Sequence, residues 1–127
     1  MRGHRSITGT SITDCGTGIR IDGTDATASI TNANIADNGT GIMGSWCAWS
    51  GSVDVVDSTI TENGNGILTT GSANVNVIGS FIDFNTGVGF SMDGNSLQQS
   101  IVYGNGIGIQ TSGGWDDIYD NDISDNG

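Results

Sequence analysis

Three tryptophans and a scatter of aspartates are the side chains in this chain best suited to hold a ligand. Trp46 and Trp49 share one segment, and Trp115 lies in a later one beside Asp116 and Asp117. Asp93 occupies an intervening segment, and Asp22 and Asp25 an earlier one. A sugar ring presents apolar C–H faces that stack on indoles and hydroxyls that donate to carboxylates, so these residue types suit a carbohydrate. Covering a loop edge or packing on a neighbour is the simpler account of the same tryptophans. Cleaving a polysaccharide would demand more, a carboxylate pair at a set separation.

Two other constellations are weaker. Asp120, Asn121, Asp122 and Asp125 resemble a calcium loop, but Asp125 stands at the sixth position, where the EF-hand pattern needs glycine. Solvated strand faces account for these residues better, so no metal or other cofactor is expected. Ser11 and Thr13, with Thr59 and Thr61, suggest a flat ice-binding array. Asn34/Ala36, Phe81/Asp83 and Ser100/Val102 break it.

The elements that must position these residues are set by a repeat of roughly 22 residues. It reads Ser-Ile-Thr-Asp-Cys-Gly-Thr-Gly-Ile at 11–19, Asn-Ile-Ala-Asp-Asn-Gly-Thr-Gly-Ile at 34–42 and Thr-Ile-Thr-Glu-Asn-Gly-Asn-Gly-Ile at 59–67. Its central apolar column runs Ile12, Ile35, Ile60, Ile82, Ile101, Ile123. Five residues earlier stand Ile7, Ile30, Val55, Val77, Ser96 and Ile118. A third column runs Ile19, Ile42, Ile67, Val88, Ile107. Short β-branched segments alternating with polar residues predict three strands per unit. Helical repeats would need Ala, Leu, Glu and Lys, whereas this chain has 22 Gly, one Glu and no Lys.

Past the central isoleucine a further column reads Cys15, Asn38, Asn63, Asn85, Gly104, Asn126. Asparagines stacked at one turn can bond to each other and to the turn backbone, which predicts a ladder of Asn38, Asn63, Asn85 and Asn126. Cys15 and Gly104 are expected to interrupt it, with Cys15 serving as a small buried hydrophobe. Gly18, Gly41, Gly66, Gly87 and Gly106 precede the third strand in register, which predicts a turn residue with positive φ. Cys47 falls in a loop at another corner, too far from Cys15 to form a disulfide.

These residues resemble the parallel β-helix repeats of the pectin-lyase-like superfamily. The resemblance covers residues 6 to 127 and implies an all-β, right-handed parallel β-helix of about five and a half coils, with an Asn ladder at one turn. It also implies an extracellular or cell-surface setting, although the opening Met-Arg-Gly-His-Arg-Ser lacks the apolar stretch of a signal peptide. It invites comparison with polygalacturonases, whose Asn-Thr-Asp and Asp-Asp elements lie on neighbouring coils. Here Asn85-Thr86-Gly87 lacks the acid, Asp116-Asp117 sits at another corner, and the sole histidine, His4, is at the opposite end. Lyase chemistry of the pectate type needs a basic residue in the cleft, and Arg20 is the only candidate within the body. Neither the hydrolase nor the lyase set is complete, so the expectation leans against catalysis.

The formal charge of −11 argues against nucleic acid, since phosphate binding needs basic patches. No apolar run approaches the ~20 residues that a membrane-spanning helix requires. Residues 1–5 read as a tail and 6–127 as coils of a single unit. Stacked strands leave unpaired edges, so this unit is expected to continue into a longer β-helix or to meet neighbours in an assembly. Outward alternation predicts an apolar stripe of Val56, Ile78, Leu97 and Tyr119, lengthened by Phe81 and Val102, as a contact surface for self-association. The expected role is a structural or adhesin-type module, with a polysaccharide-binding or polysaccharide-cleaving module as the alternative.

Overall fold

The computed structural model describes residues 4–23, 27–45, 51–71 and 74–127. All its regular elements are strands. The first coil consists of β1 (His4–Thr8), β2 (Ser11–Thr13) and β3 (Thr17–Asp22). The second contains β4 (Thr27–Thr31), β5 (Asn34–Ala36) and β6 (Thr40–Ser45), and the third β7 (Ser52–Val56), β8 (Thr59–Thr61) and β9 (Asn65–Thr70). The fourth contains β10 (Val75–Ile78), β11 (Phe81–Asp83) and β12 (Val88–Met92), and the fifth β13 (Ser96–Gln98), β14 (Ile101–Tyr103) and β15 (Ile107–Thr111). β16 (Asp117–Tyr119) and β17 (Asp122–Ser124) begin a sixth.

Each strand pairs in parallel with its counterpart one coil away, which gives three walls: β1-β4-β7-β10-β13-β16, β2-β5-β8-β11-β14-β17 and β3-β6-β9-β12-β15. Parallel pairing normally needs a helical crossover. Here the other two walls serve as the crossover, so one β-rich repeat closes on itself without a helix.

Ile30, Val55, Val77 and Leu97 fill the interior from the first wall, Ile35, Ile60, Ile82 and Val102 from the second, and Ile42, Ile67 and Phe90 from the third; all are buried. The pairing corrects the expected columns in the fourth and fifth coils. Val77 pairs with Leu97, not Ser96, and Ile82 with Val102, not Ile101. In the third wall Phe90 stands opposite both Ile67 and Ile109, so Val88 and Ile107 leave the inward column. One cause is local: Thr86-Gly87 occupies the turn of the fourth coil where Gly64 alone suffices in the third. Another is that Ile101-Val102 offers two adjacent β-branched residues, and a one-residue slip exchanges the two faces of a strand.

The glycine file is corrected too. It runs Gly18, Gly41, Gly66, Gly89, Gly108, and none of these has positive φ. What excludes other residues is closeness. A Cβ on any of the first four would come within 2.8 Å of the carbonyl oxygen of the next glycine in the file. Apart from Gly23, Gly71, Gly94, Gly113 and Gly114 at the third corner, positive φ falls at two other positions in every coil. One is Gly9, Asn32, Asp57, Gly79, Gln99 and Asp120; the other is Asp14, Asp37, Glu62, Phe84, Gly104 and Asp125. Asn, Asp and Gly tolerate this left-handed region best.

Candidate interaction surfaces

At the turn from the second wall to the third, the asparagine ladder is longer than its sequence column. Asn38 Nδ2 donates to Asn63 Oδ1 at 3.1 Å, Asn63 Nδ2 to Asn85 Oδ1 at 3.0 Å, and Asn85 Nδ2 to Asn105 Oδ1 at 2.8 Å. Asn105 Nδ2 donates in turn to Asn126 Oδ1 at 3.0 Å. Asn105, not Gly104, holds the fifth position, so the ladder is unbroken from Asn38 to Asn126. Each Oδ1 also accepts the backbone N–H of the residue one coil earlier, beginning with Cys15 N–H to Asn38 Oδ1 at 3.0 Å. Cys15 itself is exposed rather than buried. Cys47 lies outside the described residues.

Two further files were missed in the sequence. At the turn between the first and second walls, Ser58, Ser80 and Ser100 each accept a backbone N–H from the coil before and donate to a carbonyl two residues earlier. Asn121 Oδ1 continues this file by accepting Ser100 N–H. At the third corner Asn95 Oδ1 accepts Val75 N–H at 2.8 Å, and Asp116 Oδ1 accepts Asn95 N–H at 3.0 Å. In each case an N–H in a turn or at the start of a strand is met by a side-chain acceptor from the next coil. The serine file was legible as Ser58, Ser80 and Ser100, spaced like the coils around it.

The carbohydrate-type residues are brought together only in part. Trp46 and Trp49 lie outside the described residues, as does Asp25. Trp115 is 96% exposed. It follows Gly113 and Gly114, which stack on Asp93 and Gly94 of the preceding coil. Asp93 and Trp115 therefore share one corner. Asp116 is committed to the backbone of Asn95, and Asp117 pairs opposite Ser96 on the first wall. Asp22 is held by Arg20 in an exposed ion pair at 2.7 Å. Among the described residues no group of three His, Cys, Asp or Glu side chains is placed to hold a metal ion. Among them, too, no helix is long and apolar enough to cross a membrane.

The expected apolar stripe is redrawn. Leu97 and Val102 are fully buried core residues, which removes them from any contact surface. Gln98 and Ile101 take the outward positions instead, since they pair with Ile78 and Phe81. Val56 and Ile78 face outward but are half-buried, and Tyr119 is exposed and hydrogen-bonded through its hydroxyl to Gln98 Oε1. The larger exposed apolar cluster lies on the second wall. Phe81 is 46% exposed, Phe84 53% and Tyr103 37%. Phe84 and Tyr103 meet edge to face, with ring centroids 5.5 Å apart. Phe84 is also the only phenylalanine among the described residues with a left-handed backbone, at φ 51°.

Three parallel walls, a hydrogen-bonded side-chain file at each corner and an apolar interior define a parallel β-helix. The chain belongs to the right-handed β-helix family: the model of the right-handed beta helix region matches residues 2–127, which also fixes the hand of the coil. No curated protein and no solved structure matches the chain.

Proposed function

We propose that this chain is a non-catalytic β-helix module of the structural or adhesin type that acts at the cell surface or outside the cell through its outer walls. The observation that carries this reading is the exposed cluster of Phe81, Phe84 and Tyr103 on the second wall and the turn that follows it. Exposed aromatic area of this kind marks contact surfaces more often than it arises by chance. The polar side chains at the corners argue in the same direction. Asn38, Asn63, Asn85, Asn105 and Asp116 are spent on backbone N–H groups and are not free to act on a substrate. The extracellular setting rests on the resemblance to the pectin-lyase-like superfamily.

A second reading, a carbohydrate-binding module, is favoured by one observation, the exposed Trp115 at the corner that also carries Asp93. A panel of neutral and acidic polysaccharides separates the two. The scaffold reading expects no release of reducing ends or unsaturated sugars, and no retardation in affinity electrophoresis that Trp115→Ala abolishes. Turnover of any polysaccharide would overturn it.

A further inference from the structure

Sheet-forming side chains on the second wall and its two flanking turns carry an uneven charge. Of the fourteen acidic residues in the chain, eight lie there: Asp14, Asp37, Asp57, Glu62, Asp83, Asp120, Asp122 and Asp125. No Arg, Lys or His occupies any strand or turn of that wall. The aromatic cluster sits inside this acidic field. Asp83 lies directly opposite Tyr103 and Thr61, and Asp122 directly opposite Ile101. Glu62 holds, one coil earlier, the turn position that Phe84 holds in the fourth.

We infer that the second wall docks a cationic segment of a protein partner, one that pairs Arg or Lys with aromatic or aliphatic side chains, on Phe81, Phe84, Ile101 and Tyr103. This inference rests on the outer-wall reading above and names the partner's chemistry. Charge complementarity selects the occupant. A second copy of the chain would bring another −11 against the same wall, and like-charge juxtaposition suppresses such pairing. A guanidinium or ammonium meets two attractions here at once, the ring faces of Phe84 and Tyr103 and the surrounding carboxylates. Asp83, half-buried on the outer face and directly opposite Tyr103, adds its carboxylate beside the rings.

The test is a calorimetric titration of the full chain with a twelve-residue peptide of alternating Arg and Trp, beside a Glu/Trp peptide of equal length. The Arg/Trp peptide is expected to bind saturably and the Glu/Trp peptide to bind at least ~10-fold more weakly. Raising salt from ~50 to ~200 mM should weaken the Arg/Trp peptide several-fold, because exposed charge pairs are screened. Phe81→Thr combined with Tyr103→Thr should weaken it ~10-fold or more, as expected when central aromatic anchors are lost. Glu62→Gln combined with Asp122→Asn tests the charge separately, at positions outside the core, and should weaken it several-fold; a circular-dichroism melt of each variant establishes that the fold is kept. Equal binding to wild type and the aromatic double variant would overturn the inference. So would self-association through the wall that strengthens with salt, which assigns it to a second copy, or displacement of the peptide by a neutral glycan. Polysaccharide turnover sinks the scaffold reading, whereas failure of the peptide alone sinks only the cationic partner.

Discussion

Asn85 reaches Asn105 twice: its Nδ2 donates to Asn105 Oδ1 at 2.8 Å, and its backbone N–H donates to the same oxygen at 3.1 Å. Both residues are buried, so this one carbonyl satisfies a side chain and a turn that have no water to turn to. The arrangement recurs from coil to coil and ties the turns of the second and third walls along the length of the solenoid.

Asn105→Ala should therefore destabilise the fold by about 1–3 kcal/mol, because two buried donors of Asn85 lose their acceptor. Gly104→Ala tests the alternative register, and its cost should come from a different source, a positive φ and a Cβ 3.0 Å from the Phe84 ring. Urea denaturation of Asn105→Ala distinguishes them. A midpoint equal to wild type would remove Asn105 from the ladder.

The glycines predict a sharp contrast between two positions, one in the third coil and one in the first. Gly66→Ala places a methyl group against the Gly89 carbonyl and the Ile82 side chain, neither of which can withdraw without parting the coils. A loss of about 3 kcal/mol or more, or failure to fold, is expected. Gly16→Ala meets nothing within 4 Å and should cost less than about 0.5 kcal/mol. Similar thermal midpoints for the two variants would contradict the close approach.

Much of this was legible in the sequence. The three-strand coil, the first three turns of the ladder and the inward isoleucines follow from spacing alone, because those coils are nearly identical. The third strand of the fourth coil and the first two strands and ladder position of the fifth were not read in register. Thr86 adds a residue to a turn, and Val88 N–H compensates by donating to Asn65 Oδ1 at 3.1 Å, a side chain that looks like ordinary surface in the sequence. Leu97 and Val102 were placed outside for another reason: Ile101 and Val102 are adjacent β-branched residues, and choosing Ile101 as the inward one slips both strands by one residue. The aromatic cluster on the second wall was visible only as Phe81. Phe84 and Tyr103 join it because they occupy neighbouring coils, a proximity that appears only once the register is known.

The extra turn residue carries its own prediction. Asn65→Ala should cost about 1–2 kcal/mol, since it leaves Val88 N–H without its acceptor. Hydrogen exchange at the Val88 amide should accelerate in the variant more than at Ile42, which lies in the same wall two coils earlier. Unchanged exchange at Val88 would mean that another group satisfies it.

Phe84 should show a trade between stability and contact. Its turn position is held by Asp14, Asp37 and Asp125 in other coils, residues that accept a left-handed backbone at less cost than a bulky aromatic. Phe84→Asn should relieve strain worth about 1–3 kcal/mol, less what the Tyr103 contact contributes, about 0.5–1.5 kcal/mol. The melting temperature should stay level or rise. A clear fall would show that the ring holds the coil together rather than facing a partner.

The most direct measurement is a selection of random peptides against the full chain, with counter-selection on the Phe81→Thr/Tyr103→Thr variant. If the second wall is the working surface, the surviving peptides will be enriched in Arg or Lys together with aromatic residues. They will also fail to bind the variant. Survivors that are neutral or acidic, or that bind the variant equally well, would contradict the account.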